Sequence, residues 1–229
     1  MAEASRVDVA AILNEASALV GASPLSFLAA ACANIALGTW IDTQIFSWNA
    51  TLALYAAAAG FAGVLQYLVL RRVLGTASDG RRIAAIRAPV VAVTLHLLAW
   101  MVVGAAYVLL LVPGLYLAGR LSPAVGIAVV EQRGLAGSIG ESWRRTRRAW
   151  RPLLLVQALL LVPLLGLFGL IVAGVYLEWG AITSDDPSLV TSLLGNLATG
   201  VMALGGWAVA GAVYRLTAPD SVGLDQVFA

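Results

Sequence analysis

The sequence predicts an all-α integral membrane bundle of about six transmembrane helices, with one amphipathic interfacial helix at the N-terminus and a second one in the centre of the chain. Three observations predict this class. Apolar residues make up 61% of the 229 residues and charged residues only 11%, with a mean hydropathy of +0.90, whereas soluble proteins contain about 25% charged residues. Six apolar segments are long enough to span a bilayer. The arginines, finally, gather between alternate segments.

A transmembrane helix needs about 20 mostly apolar residues, within a range of about 17–25. The six predicted spans are 24–41, 50–70, 89–112, 115–130, 152–177 and 189–214. The fourth is the shortest and contains Arg120 and Pro123, which predicts a short or re-entrant helix. Pro24 and Pro89 stand at predicted first helical positions, where a missing N–H costs nothing. Pro113-Gly114 is predicted to form a tight turn between the third and fourth spans.

The domain organisation follows from these spans. Residues 1–22 are predicted to form an amphipathic interfacial helix, residues 23–218 one polytopic domain, and residues 219–229 a short tail. Within the first segment, Ser5 and Asp8 have the spacing of a capping box. The predicted apolar stripe of this helix consists of Val9, Leu13, Ala16 and Val20.

The arginines predict the orientation of the bundle, and all fourteen basic residues are arginines. Those after the second span are Arg71, Arg72, Arg81, Arg82 and Arg87, and those after the fourth are Arg133, Arg144, Arg145, Arg147, Arg148 and Arg151. The linkers 42–49 and 178–188 contain none. With six spans every arginine except Arg120 lies on one side, which the positive-inside rule assigns to the cytoplasm. Both termini are therefore predicted to be cytoplasmic.

Residues 138–150 form the second predicted amphipathic helix, with Ser138 and Glu141 in capping-box spacing. Its predicted apolar stripe is Leu135, Ile139, Trp143, Thr146 and Trp150, with Arg144, Arg145, Arg148 and Arg151 on the other face. Such a helix is predicted to lie in the headgroup plane, where each arginine contributes about 1 kcal/mol of attraction to an anionic leaflet. Two interpretations stay open, a structural anchor and a headgroup or phospho-ligand site. A nucleic-acid partner is not expected, because a short helix tied to the bilayer offers little free surface.

The run VPGLYLAGRLSPAVGIAVVEQRGLAGSIGESWRRTRRAW, residues 112–150, resembles the membrane domain attached to some bacterial glycerophosphodiester phosphodiesterases and its stand-alone inner-membrane relatives. The matching positions are Pro113, Gly114, Arg120, Glu131, Ser142, Trp143, Thr146 and Arg147. The resemblance implies about six helices and a place in the bacterial inner membrane. It does not imply the phosphodiesterase reaction, because that chemistry needs a separate soluble domain with histidines and several metal-binding carboxylates, and this chain has one histidine.

Arg120 is the most informative single residue, since an arginine inside a bilayer costs from about 2.5 to more than 10 kcal/mol. It lies five positions into the fourth span, roughly 8 Å below the outer edge at about 1.5 Å per residue. Asn196 and Thr199 are predicted to be its neighbours. Glu131 is predicted either to pair with a local arginine or to clamp the fourth span to the arginine-rich helix. The hypothesised contacts for a lipid or anionic ligand are Arg120, Glu131, Arg144, Arg145, Arg147 and Arg148.

Other polar and small residues inside the spans give weaker indications. A polar intramembrane band is hypothesised from Gln66, His96, Gln157 and Asn196, with hydrogen-bonded packing as the alternative. Small residues follow one face of the sixth span (Gly195, Thr199, Ala203, Gly206, Ala210) and of the second (Ala53, Ala56, Gly60, Gly63). Such faces allow close helix packing, within the bundle or in a homo-oligomer.

The sequence predicts no catalytic residue, cofactor or metal site. We find no phosphate-binding glycine loop, H-E-x-x-H or G-x-S-x-G motif, and Cys32 and His96 are the only residues of their types. The sequence therefore favours a non-enzymatic inner-membrane protein that interacts with envelope lipids or supports a membrane-protein partner. Two alternatives stay open. One is a transporter or permease-like component, which Pro163 and the short fourth span favour; the other is a lipid-active enzyme using Arg120, Glu131 or His96.

Overall fold

The computed structural model describes residues 7–44, 48–75, 82–178 and 189–219, and within these ranges the chain folds into helices and short connections. The helices are α1 (Val9–Ala22), α2 (Pro24–Asp42), α3 (Trp48–Leu74), α4 (Arg82–Leu109), α5 (Leu111–Leu121), α6 (Ala124–Val130), α7 (Leu135–Arg145), α8 (Trp150–Glu178) and α9 (Leu189–Thr217). The all-α class predicted from the sequence is confirmed.

Five segments of the described chain are long and apolar enough to cross a membrane, as expected of a multi-pass membrane protein. They are Pro24–Asp42, Asn49–Leu74, Arg87–Tyr107, Leu111–Val130 and Ser192–Thr217. The predicted span 152–177 lies within α8, a helix of 29 residues. Most side chains in the second half of α8 lie outside the described residues, so this sixth span stays a prediction. Ser5 and the tail from residue 220 lie outside them as well.

α1 packs against α9 with a different face from the predicted one. Its buried residues are Ile12, Ala16 and Leu19, whereas Leu13 and Val20 of the predicted stripe are exposed. The physical reason is that α1 is seated on another helix rather than on lipid alone, so the residues that meet α9 define the buried face. Asp8 caps the helix through its Oδ1, which accepts the N–H of Ala11 at 2.8 Å.

The turn between α4 and α5 lies at Leu110, so the predicted turn at Pro113-Gly114 is wrong. Leu110 has extended backbone (φ −156°, ψ 121°), and Pro113 is the third residue of α5. The first N–H groups of a helix have no acceptor within it, so proline is tolerated there. Gly114 lies against the ring of Tyr107, where a Cβ would clash. The α4–α5 hairpin is therefore closed by close packing, one turn earlier than predicted.

Two further boundaries differ from the prediction. Pro89 lies inside α4, which begins at Arg82, because neighbouring groups in a bundle can satisfy the backbone that a proline leaves free. The predicted fourth span consists of α5 and α6, which are separate helices joined at Ser122-Pro123. Pro123 lacks the N–H that would continue α5. All seven residues of α6 are buried, so this broken span forms the centre of the bundle.

Glycines allow the helices to approach closely. A Cβ at Gly126 of α6 would lie 2.9 Å from Cβ of Tyr214 in α9, and a Cβ at Gly211 would lie 2.9 Å from Cδ1 of Leu19. On α9 the close approaches occur at Gly200, Gly205 and Gly211, whereas Gly195 and Gly206 of the predicted small face have no described neighbour within 4 Å. The small face that packs in this bundle is thus offset from the predicted one.

We expect Gly126→Ala to lower the free energy of unfolding by about 1–3 kcal/mol, because overpacking forces shifts of side chains and backbone. Gly60→Ala is the matched control, since a Cβ at Gly60 meets nothing within 4 Å; alanine there favours the helix by about 1 kcal/mol. Thermal unfolding in detergent measures both. Equal melting temperatures for the two variants would contradict the α6–α9 contact.

Candidate functional site

The candidate site is built around α7, which buries its polar face. Glu141 and Ser142 are buried, as are Ser138 one turn earlier and Thr146 at the C-cap. Trp143, by contrast, is 40% exposed. The predicted apolar stripe, which contains both Trp143 and Thr146, is therefore divided, with Thr146 buried in the protein and Trp143 exposed. The reason is that α7 lies against α5 and α6, whose polar groups satisfy the side chains of its inner face.

The N-terminus of α7 also differs from the prediction. The helix begins at Leu135 with Gly134 as its N-cap, and not at Ser138. The Ser138 hydroxyl donates instead to the carbonyl of Arg133, at 3.4 Å. The chain reaches this start from α6 through Gln132, whose φ of 54° is in the left-handed region. This sharp reversal places Glu131, at the end of α6, beneath α7.

Five charged side chains form an ion-pair cluster where α6 meets α7; they are Glu131, Arg133, Glu141, Arg144 and Arg145. Nη2 of Arg145 lies 2.7 Å from Oε1 of Glu131, and its Nε lies 2.6 Å from Oε1 of Glu141. The Arg145 side chain is only 3% exposed. Arg133 donates to Glu131 at 2.9 Å, and Arg144 donates to Glu141 through Nε at 3.0 Å. Both arrangements hypothesised for Glu131 are present, since it pairs with the local Arg133 and with Arg145 of α7.

The charge balance of the cluster fixes the ionised state of Glu141. The hydrogen-bonded Arg144 guanidinium lowers the pKa of the Glu141 carboxyl from 4.5 to about 2, with a further contribution from Arg145 and an opposing one from burial. A carboxyl with a depressed folded-state pKa stabilises the fold fully above its unfolded pKa, and loses this contribution as the pH falls through the folded value. The stabilisation from Glu141 is therefore complete above pH 4.5 and is lost as the pH falls to about 2.

We expect the difference in melting temperature between the native chain and Glu141→Gln to be constant from pH 8 to 5. Below pH 4.5 this difference should shrink, and it should be smallest near pH 2, because the native carboxyl then becomes neutral like the amide. Thermal unfolding across this pH range in an uncharged detergent is the measurement. A melting-temperature difference that stays constant down to pH 2 would show that the arginines do not lower the pKa of Glu141.

Arg120 is buried, with 4% of its surface exposed, and contacts α7. Its Nη1 donates to Oγ1 of Thr146 at 3.1 Å, and its carbonyl accepts the Ser142 hydroxyl at 2.6 Å. Its Cζ lies 4.3 Å from the ring centroid of Trp143 and 5.6 Å from that of Tyr116. Among the described residues no carboxylate pairs with Arg120, so aromatic faces and a hydroxyl provide its stabilisation.

The predicted surroundings of Arg120 are wrong. Asn196 lies at the opposite end of the bundle, where its Nδ2 donates to Oδ2 of Asp42 at 2.6 Å, and the Thr199 hydroxyl donates to the carbonyl of Asn196. The break at Ser122-Pro123 and the return of α7 along α5 explain the difference. Arg120 therefore belongs with the other arginines rather than across the membrane from them.

Most described arginines share this end of the bundle, which we call the arginine-rich end. Arg215 of α9 lies 2.8 Å from both Oε1 of Glu15 and the carbonyl of Val73, which joins the C-terminal ends of α3 and α9 to α1. Arg87 lies close to Gly134 before α7. Arg71 and Arg72 form the last turn of α3. The opposite end holds Asp42, which also accepts a hydrogen bond from Tyr55.

The outer face of α7 and the start of α8 form a second feature, the Trp–Arg surface, defined by Trp143, Arg144, Arg147, Arg148, Trp150 and Arg151. Trp143 and Trp150 are 40% and 41% exposed. Both rings meet Tyr116 edge to face, with centroids 6.0 and 6.3 Å away. Cζ of Arg151 lies 5.3 Å above the Trp150 ring. Arg147 and Arg148 are exposed, and the described carboxylates form no ion pair with them.

The hypothesised polar band is only partly brought together. Gln66 and His96 form a direct contact, with Oε1 of Gln66 2.7 Å from Nδ1 of His96. Gln157 is half-buried on α8, and Asn196 is held by Asp42 at the other end. Of the four residues, the described hydrogen bonds join Gln66 to His96 and hold Asn196 elsewhere. α3 and α4 pack directly here, with Gly63 against the His96 side chain, so the Gln66–His96 contact joins these two helices.

Sequence reasoning missed the structural roles of several residues. The sequence predicts Arg145 as one more headgroup contact, yet it lies at the centre of the ion-pair cluster. Tyr214 packs under it, with the ring centroid 5.9 Å from Cζ. The Ser-x-x-x-Thr spacing of Ser142 and Thr146, next to Glu141 and Arg145 at the same spacing, was the available signal. In the described chain no three His, Cys, Asp or Glu side chains converge as a metal site would require.

No family model matches this chain, and no curated protein or solved structure is detectably similar to it.

Proposed function

We propose that this chain is a non-enzymatic multi-pass protein of the bacterial inner membrane that binds anionic lipid headgroups through its Trp–Arg surface. The arginine-rich end faces the cytoplasm in this proposal, and so do both termini. The principal partners are the envelope lipids, whose headgroups in one leaflet contact this surface.

The observation that carries the proposal is the inverted burial of α7. Its polar side chains face the protein, while Trp143 of α7 and Trp150 of α8, each about 40% exposed, face outward with several exposed arginines. Tryptophan is enriched where headgroups meet acyl chains, and guanidinium groups bind phosphate oxygens in a planar, bidentate manner. The residues on the outward side therefore match the chemistry of an anionic interface.

Electrostatics support the same proposal. Glu131 and Glu141, the carboxylates nearest to α7, are already engaged by arginines of the ion-pair cluster. Arg147, Arg148 and Arg151 therefore keep their charge unneutralised by described carboxylates, and each contributes about 1 kcal/mol of attraction to an anionic leaflet. The rigid cluster beneath them holds the helix in place, so that little conformational freedom is lost when lipid binds.

The experiment is to reconstitute the protein into nanodiscs of mixed phosphatidylglycerol and phosphatidylcholine and to measure the lipid composition retained with it. We expect Arg147→Gln/Arg148→Gln to lower the enrichment of phosphatidylglycerol about thirtyfold, which corresponds to about 1 kcal/mol per arginine. Arg147→Lys/Arg148→Lys has the native net charge and serves as the matched control, which should retain most of the enrichment. Unchanged enrichment in the glutamine variant would overturn the proposal.

A transport component is the second candidate, and the broken span favours it. Broken helices line substrate paths in many transporters, and the break at Ser122-Pro123 leads into the wholly buried α6. Cysteine placed at Ala128, which is 0% exposed, in a Cys32→Ser background tests this candidate. Modification by a charged, water-soluble thiol reagent in intact vesicles would favour a water-filled path. Headgroup binding alone predicts no modification.

A further inference from the structure

A groove of about 570 Å³ lies between α2 and α3 at the arginine-rich end. Ser26 and Ala29 of α2 line one side, Leu65 and Leu68 of α3 line the other, and Arg71 and Arg72 lie at its end. Small residues on α2 opposite leucines on α3 leave a space with apolar walls. The groove shares no residue with the Trp–Arg surface.

The two arginines give this apolar groove a cationic mouth. Arg71 and Arg72 are exposed and occupy the last turn of α3. Arg71 Nη1 makes one long hydrogen bond, 3.4 Å to the hydroxyl of Tyr67, and no described carboxylate forms an ion pair with either residue. Toward the described part of the chain most of their guanidinium donors therefore have no partner, and phosphate is the anion that best fits their planar geometry.

The start of α2 adds one hydroxyl donor on the same side of the groove. The Ser23 hydroxyl donates to Oγ of Ser26 at 2.8 Å, which leaves the hydroxyl hydrogen of Ser26 free to donate to another group. α2 begins at Pro24 without a side-chain cap bond. The first turn of a helix carries partial positive charge, which reinforces the attraction of the arginines for an anion.

The dimensions fit a lipid rather than a free anion. Arg72 lies seven positions after Leu65, about 10 Å along the helix at about 1.5 Å per residue. One leaflet of hydrocarbon is about 15 Å thick, half of the roughly 30 Å core. An acyl chain can therefore follow the apolar part of the groove from its mouth towards the membrane centre, while its headgroup stays at the arginines.

We propose that the groove binds one anionic phospholipid, with its phosphate between Arg71, Arg72 and the Ser26 hydroxyl and an acyl chain along Leu65 and Leu68. This is a discrete site with one occupant. It differs from the collective headgroup layer at the Trp–Arg surface and does not depend on it.

Native mass spectrometry of the purified protein, titrated with phosphatidylglycerol or with phosphatidylcholine of the same acyl chains, tests the site. The native chain should bind one phosphatidylglycerol more tightly than any phosphatidylcholine. Arg71→Gln/Arg72→Gln should weaken that binding about thirtyfold, which corresponds to about 1 kcal/mol per arginine. Arg71→Lys/Arg72→Lys should stay within a few-fold of the native chain. Arg147→Gln/Arg148→Gln should leave this single tight site unchanged, even where it lowers bulk enrichment in nanodiscs.

The apolar half of the groove is tested separately. Ala29→Phe fills the space and keeps both arginines, so it should also weaken phosphatidylglycerol binding, whereas glycerol phosphate, which has no acyl chain, should not compete. Circular dichroism and melting temperature verify that each variant is folded. The proposal would be overturned if Arg71→Gln/Arg72→Gln bound phosphatidylglycerol as tightly as the native chain. It would also be overturned if Arg147→Gln/Arg148→Gln weakened this binding equally. Effective competition by glycerol phosphate would show a free-anion site and overturn the lipid assignment.

Discussion

Replacing Arg145 by glutamine is expected to lower the free energy of unfolding by about 3–5 kcal/mol, the usual loss when one partner of a buried ion pair is removed. The Arg145 side chain is 3% exposed and reaches both Glu131 and Glu141, at 2.7 and 2.6 Å. Without it, two carboxylates that are 11% and 8% exposed lose their shared cation. Arg133 and Arg144 remain, but they approach from the solvent side, with side chains 45% and 72% exposed.

Arg148→Gln is the matched control, because it removes the same charge from an exposed position three residues away; surface changes of this kind usually stay within about 0.5 kcal/mol. Chemical unfolding in mixed micelles measures both variants. In a double-mutant cycle, Glu131→Gln should recover part of the Arg145→Gln loss, since it removes the carboxylate that was left unpaired. Equal stability of Arg145→Gln and Arg148→Gln would mean that the cluster does not hold α6 to α7.

Trp143→Ala is expected to lower the free energy of unfolding by about 3 kcal/mol. The Trp143 ring covers the guanidinium of Arg120, 4.3 Å from Cζ, and a desolvated cation–π contact contributes about 2 kcal/mol. Its edge-to-face contact with Tyr116, at 6.0 Å, adds about 0.5–1.5 kcal/mol. Losing the ring leaves a buried cation with Thr146 and Tyr116 as its only described side-chain partners.

Trp150→Ala is a close control, because Trp150 is exposed to the same extent and makes a similar contact with Tyr116, 6.3 Å between centroids. Trp150 does not cover Arg120, and its own cation–π contact, with the exposed Arg151, contributes about 0.5–1 kcal/mol. Trp150→Ala should therefore lower the free energy of unfolding by at least about 1 kcal/mol less than Trp143→Ala. Trp143→Phe, which keeps an aromatic face, should retain most of the stability. If Trp150→Ala lowered the free energy of unfolding as much as Trp143→Ala does, both losses would come from aromatic packing alone.

The helical class and most helix positions were predictable from composition and apolar segment length. Pro24 begins α2 as its missing N–H predicts, and 189–214 lies within α9, because both signals depend only on local sequence. The cytoplasmic placement of the arginines stays a prediction, although the contacts of Arg215 with Glu15 and the Val73 carbonyl join several arginine-bearing segments at one end.

The site was less predictable, because it depends on where α7 folds back. Helical periodicity showed that α7 has two faces, but it does not say whether the neighbouring surface is lipid or protein. The polar groups at Glu131 and at the Arg120 carbonyl decide this, since they satisfy the polar face of α7 inside the bundle. The turn before α5 lies at Leu110, one turn earlier than predicted, and the span breaks at Pro123. Arg120 therefore lies at the arginine-rich end and not near the predicted outer edge.

The central claim is that the Trp–Arg surface contacts anionic headgroups directly. Tryptophan fluorescence in a variant that keeps only Trp143 and Trp150 measures this contact, with phenylalanine replacing Trp40, Trp48, Trp100, Trp179 and Trp207. The variant is placed in vesicles of fixed composition in which either phosphatidylglycerol or phosphatidylcholine carries brominated acyl chains, since bromine quenches only nearby rings. We predict clearly stronger quenching, at equal mole fraction, when the bromine is on phosphatidylglycerol. Equal quenching by the two lipids would contradict the claim.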